Sequence, residues 1–100
     1  MFENYKFGTF EKTFKMDINE LFDQAVLDSK KLSEKPSNEI LLQLYAYFKQ
    51  ATEGDINIEA PSNPFDFVAK AKHTAWDELK GKSSDDAKQA YIDLVKGLQS

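Results

Sequence analysis

A chain of 100 residues makes one domain with a single hydrophobic core, and its 41% hydrophobic and 30% charged residues lie outside the composition of disordered chains. The absence of cysteine excludes disulfides, thiolate nucleophiles and zinc–thiolate sites. A net charge of −4 removes long-range attraction to nucleic acid or anionic membrane, and because all 13 basic residues are lysine, any anion must be held by ammonium point charges instead of planar arginine forks.

Residues 1–16 carry Phe2, Tyr5, Phe7, Phe10 and Phe14 at neither helical nor strand spacing. They read as an N-terminal extension to a domain spanning 17–100. The extension packs on the domain, moves freely or is an appended tag; five aromatics left in water would be a liability, which favours packing. The early Glu3 and Asn4 and the lack of an apolar stretch argue against a signal peptide, and Glu3, Glu11 and the missing arginine against a transit peptide. No apolar run approaches the roughly 20 residues that span a bilayer. The expectation is a cytoplasmic protein with no stable membrane insertion and no nucleic-acid partner.

Asp17 and Glu20 form a capping-box pattern that predicts a first helix, with Ile18, Leu21, Phe22, Ala25, Val26 and Leu32 as its apolar stripe. Ser33 to Pro36 ends it, since a residue before proline disfavours the α region. Ser37 or Asn38 caps a second helix running to about Glu53, stopped by Gly54. Gly54 to Pro64 is a long loop, a kind of segment that is uncommon and often functional. A third helix is expected from about Asp66 to Lys80, facing Phe67, Ala71, Ala75, Trp76 and Leu79 inward and ending at Gly81. Ser83 caps a fourth, whose acidic first turn (Asp85, Asp86) suits the positive end of its dipole and whose inward face is Ala87, Ala90, Tyr91, Leu94, Val95 and Leu98. Four helices on one core make an all-α bundle.

The second helix is apolar around most of its circumference, through Ile40, Leu41, Leu42, Leu44, Tyr45, Ala46, Tyr47, Phe48 and Ala51. A surface helix needs an apolar stripe only somewhat wider than about 100°. Either this helix is central and covered by two neighbours, or part of it lines a ligand groove; the two are compatible. Tyr45 and Lys49 share a face, with Phe48 beside them. A hydroxyl, an ammonium and a ring suit a ligand carrying both phosphate and a base, although a tyrosine and lysine so spaced are commonly a snorkelling surface pair. No metal or catalytic constellation is present. The single histidine, His73, has only Asp77 one turn along, and the carboxylates are spread over solvated faces.

The segment from Tyr45 to Asn57 resembles the signature of the acyl-CoA-binding protein family: a tyrosine, two variable residues, an aromatic, KQAT, a variable residue, GD, a variable residue and N. Tyr45, Phe48, Lys49, Gln50, Ala51, Thr52, Gly54, Asp55 and Asn57 match in register. A second block, Pro61, Asp66, Phe67, Lys70, Ala71, Lys72, Ala75, Trp76, Leu79, Lys80 and Gly81, and a third, Ala90 to Asp93, follow in order. The likeness covers about residues 19–99.

It implies an up-down-down-up four-helix bundle that is not an enzyme and uses no cofactor. Such a protein is a cytosolic, monomeric carrier and pool former of long-chain acyl-CoA. Carried over by position, Tyr45, Lys49, Lys72 and Tyr91 would meet the ribose 3′-phosphate, Phe48 would supply a ring for stacking and Lys30 a further head-group contact. Leu41, Leu42, Ala25 and Phe22 would line the acyl groove. The chain departs from the family at Phe48 (commonly tyrosine), at Val68 (often lysine), at His73 (tryptophan) and in a 61–67 stretch one residue longer. Two rival readings are a helical protein-interaction module and a carrier of free fatty acids.

Overall fold

The computed structural model describes residues 17–99, so the extension expected over residues 1–16 lies outside the described residues. Four helices follow in order: α1 (Ile18–Ser29), α2 (Asn38–Glu53), α3 (Phe67–Asp77) and α4 (Ser84–Gln99). Their starts are those that the capping residues dictate. The Asp17 carboxylate accepts the Glu20 amide at 2.9 Å while the Glu20 carboxylate accepts the Asp17 amide at 3.3 Å. Ser37, of the two candidates, caps α2 by accepting the Ile40 amide at 3.3 Å. Asp66 and Ser83 do the same for the amides of Ala69 and Asp86, both at 3.1 Å. Gly54 ends α2 at φ 82°, a conformation that an L side chain resists.

Two helices stop sooner than their apolar spacing suggests. α1 ends at Ser29, whose hydroxyl donates to the Val26 carbonyl at 2.7 Å, and the amides of Lys30 and Lys31 turn back to Leu27 and Asp28. Leu32 is half-buried in the following linker. α3 ends at Asp77 and not near Lys80, because the amides of Leu79 and Lys80 reach back only three residues, to Trp76 and Asp77. Gly81, at φ 93°, completes that turn.

α4 packs on both α1 and α2, and α3 packs on α2. The contacts fix the directions. Lys88 pairs with Asn19, both near helix starts, so α1 and α4 run parallel. The Ser84 hydroxyl at the start of α4 donates to the Ala51 carbonyl near the end of α2 at 2.6 Å, so those two are antiparallel. Phe67 and Val68 at the start of α3 line a groove with Asn38 and Leu41 at the start of α2, and Trp76 reaches Gly54 at the other end, so α2 and α3 are parallel. The result is up-down-down-up, as the resemblance implies. The main core joins Phe22 and Ala25 of α1, Leu44 and Ala51 of α2, and Ala87, Tyr91, Ile92 and Val95 of α4. Its alanines let α2 and α4 approach closely, while α2, flanked on two sides, has reason to be apolar nearly all round.

The end of α2 is a polar junction. Gln50, fully buried, donates through Nε2 to the Asp55 carboxylate and to the Lys82 carbonyl, both at 2.8 Å. The same Asp55 oxygen accepts the Gly81 amide at 2.8 Å. These donors, the Gly81 amide foremost and then Gln50, hold the Asp55 carboxyl below its ordinary value near 3.8. A lowered folded-state pKa contributes stability that is complete above the unfolded value and is lost as pH falls through the folded one. Urea unfolding of the wild type and Asp55→Asn should therefore show a stability gap at pH 7 that narrows below about pH 4. A gap independent of pH would contradict the assignment.

Candidate functional site

The parallel run of α2 and α3 brings two helix faces into register. Tyr45 and Lys49 stand one turn apart on α2, and Lys72 and Trp76 one turn apart on α3. They meet crosswise: the Lys72 ammonium lies 5.3 Å from the centre of the Tyr45 ring, and the Lys49 ammonium 5.3 Å from that of Trp76. Trp76 is fully buried and its indole N–H donates to the Gly54 carbonyl at 2.9 Å, so the ring under Lys49 is fixed. Lys49 also donates to the Glu53 carboxylate at 2.5 Å. That bond outweighs partial burial and raises the lysine pKa above its ordinary value.

Beside this cationic face opens an apolar groove of about 360 Å³, lined by Asn38, Leu41 and Leu42 of α2 and by Phe67, Val68, Ala71 and Lys72 of α3. Lys72 belongs to both features: its ammonium lies over Tyr45 and the residue lines the groove. The groove includes Leu41 and Leu42, which the resemblance assigns to an acyl groove, and Lys72, which it assigns to the head group, together with Phe67 and Ala71, whose spacing predicts an inward core face. Phe67 is 71% exposed and lies on the rim of the groove. α3 has α2 as its only packed helix neighbour among the described residues, which leaves this part of its apolar stripe uncovered. Val68 on the same rim is 66% exposed.

The other expected site residues lie toward α1 and α4. Phe48, 38% exposed, stacks with Phe22 at 6.0 Å between ring centres and lies 6.4 Å from Tyr91, whose ring meets Phe22 edge-on at 5.2 Å. Phe22 and Ala25 are buried in the core and do not line the α2–α3 groove. Phe22 connects to the surface through Phe48. The Tyr91 phenol donates to the Ser29 hydroxyl at 3.1 Å, next to the exposed Lys30 that follows α1. The ten residues thus form two groups: Tyr45, Lys49, Lys72, Leu41 and Leu42 on the α2–α3 side, and Phe22, Ala25, Lys30 and Tyr91 on the α1–α4 side. Phe48 sits between them.

His73 pairs with the Ile58 carbonyl at 3.3 Å, tying the long loop to α3. Among the described residues, no group of His, Asp and Glu is arranged to hold a metal ion, and no helix is long and apolar enough to cross a membrane.

The acyl CoA binding protein family matches residues 19–95. The chain is 51% identical over 77 residues to acyl-CoA-binding protein homolog 1 of Caenorhabditis elegans, covering 77% of this chain and 88% of that one. It is 47% identical over 81 residues to the acyl-CoA-binding protein homolog of Drosophila melanogaster, covering 81% and 93%. The crystal structure of Oryza sativa acyl-CoA-binding protein 2 superposes with a TM-score of 0.76 at 35% identity, covering 82% of this chain and 90% of that one.

The two aromatic–lysine pairs differ in what they do for the fold. Trp76→Ala removes a buried ring and should cost about 3–5 kcal/mol in urea unfolding. Lys72→Ala, losing one exposed cation–ring contact, should cost no more than about 1 kcal/mol. A large loss at Lys72 would make that lysine a structural group.

Proposed function

Because this chain belongs to the acyl-CoA-binding protein family, we propose that it carries long-chain acyl-CoA with the acyl chain in the α2–α3 groove and the 3′-phosphate on the lysines beside it. Acyl-CoA binding is the property of the family; the assignment of parts of the ligand to parts of this surface is the proposal. One observation carries it: Lys72 joins an apolar groove to a face bearing two ammonium groups. An amphiphile with a hydrocarbon tail and a polyanionic head fits that junction. In this reading Tyr45 and Lys49 meet the phosphate with Lys72, while the partly exposed Phe48 offers its ring to the adenine. Tyr91 and Lys30 approach the head group from the α1–α4 side.

The energetics suit carriage. Each methylene withdrawn from water contributes about 0.8 kcal/mol, close to a fourfold gain in affinity. The gain is reduced by lost ligand freedom and incomplete burial. Affinity should therefore climb with chain length and level off once the chain outruns the groove. Membership of a family of binding proteins supports a carrier and pool former over an enzyme, with acyl-CoA as cargo and no cofactor. One copy supplies both groove and ammonium groups, which supports action as a monomer. We assign that action to the cytoplasm.

Calorimetry with hexadecanoyl-CoA, its 3′-dephospho form, CoA and hexadecanoate tests the reading. The full ester should bind tightest, and Lys49→Ala and Lys72→Ala should each weaken it by roughly 1.5–3 kcal/mol, about tenfold or more, with little change in melting temperature. Hexadecanoate binding more tightly than the ester would support the fatty-acid carrier instead. Indifference to every one of these ligands would support the interaction module.

A further inference from the structure

Glu53 occupies the variable position of the KQAT–GD block, so the family resemblance gives it no role. It stands in the last turn of α2, where the helix dipole is negative and an acidic side chain is unfavourable. It is paired with a lysine four residues earlier, the weaker of the two orders for such a pair. Helix stability therefore does not account for a carboxylate here. Its carboxylate nonetheless lies 2.5 Å from the Lys49 ammonium, with the two side chains only 41% and 26% exposed. Lys49 is engaged on two sides, over the Trp76 ring and against Glu53. An anion approaching it meets a charge already partly neutralised and a carboxylate beside its own seat.

We propose that Glu53 is an affinity-setting residue, an internal counter-ion that competes with the ligand's phosphate for Lys49 and holds acyl-CoA binding below what the lysines alone would give. The inference rests on the reading in which Lys49 meets the 3′-phosphate. The penalty grows with the charge of the ligand, so it falls most heavily on the phosphorylated head group. A carrier must surrender its cargo, and a built-in competitor for the phosphate speeds dissociation without altering the groove.

The test is Glu53→Gln, which keeps the shape and removes the charge. Hexadecanoyl-CoA should bind about two- to fivefold more tightly at low salt, the range expected for one partly exposed ion pair. The gain should appear mainly as slower dissociation, be smaller for the 3′-dephospho ester and shrink at 1 M salt, where the screening length is about 3 Å. The melting temperature should hold or rise. Unchanged or weaker binding by Glu53→Gln, with Lys49→Ala still weakening binding, would overturn the role of Glu53 alone. Unchanged binding by Lys49→Ala would overturn the head-group reading and this inference with it.

Discussion

The buried amide of Gln50, donating at once to Asp55 and to the Lys82 carbonyl, ties together three segments that meet at one end of the bundle. It closes the end of α2 onto the loop that follows and onto the turn between α3 and α4, and the Gly81 amide completes the connection through the same carboxylate. Trp76 adds a fourth tie through Gly54. With this end fixed and the loop from Gly54 to Asp66 spanning the length of α2, α3 must start beside the start of α2. The two helices then run parallel, and Lys49 meets Trp76 as Lys72 meets Tyr45. The groove and the cationic face are consequences of that register.

The bundle is thinner on one side than on the other. α1, α2 and α4 share the main core, whereas α3 leans on α2 and leaves Phe67 and Val68 largely in water. Exposed apolar surface at a groove rim leaves a driving force for binding unspent in the unliganded protein. A hydrocarbon chain laid there removes its own surface and that of the rim from water together. The head-group side works differently. Its polar groups are already engaged within the protein, Lys49 by Glu53 and Tyr91 by Ser29, so in the proposed mode a head group would exchange hydrogen bonds there instead of adding new ones. In that mode chain burial would be the larger source of affinity, and the phosphate contacts would select among ligands.

Much of this was legible in the sequence because it is set by short-range chemistry. Asp17 with Glu20, Ser37, Gly54 and Ser83 mark helix boundaries through hydrogen bonds spanning three or four residues. The apolar excess of α2 correctly signalled a helix with neighbours on two sides. Spacing along one helix put Tyr45 and Lys49 on one face. It could not say that Lys72 and Trp76 of another helix would interlock with them, because that depends on the direction of α3 and hence on the loop. Nor does periodicity reveal whether an apolar stripe is covered. Phe67 and Ala71 have the spacing of core residues and line a groove. The ends of α1 and α3 come before the end of the apolar spacing for a related reason: the amides of Lys30, Lys31, Leu79 and Lys80 reach back only three residues, a tightening that side-chain periodicity does not carry.

In the proposed mode one surface, built by α2 and α3 in parallel, receives both ends of an amphiphilic ligand. A nitrogen-15 NMR titration with hexadecanoyl-CoA tests it most directly. Amide shifts should concentrate at Leu41, Leu42, Tyr45, Lys49, Val68, Ala71 and Lys72, with smaller changes at Lys30 and Tyr91. Shifts confined to the outer faces of α1 and α4, with Leu41, Lys49 and Lys72 silent, would contradict it.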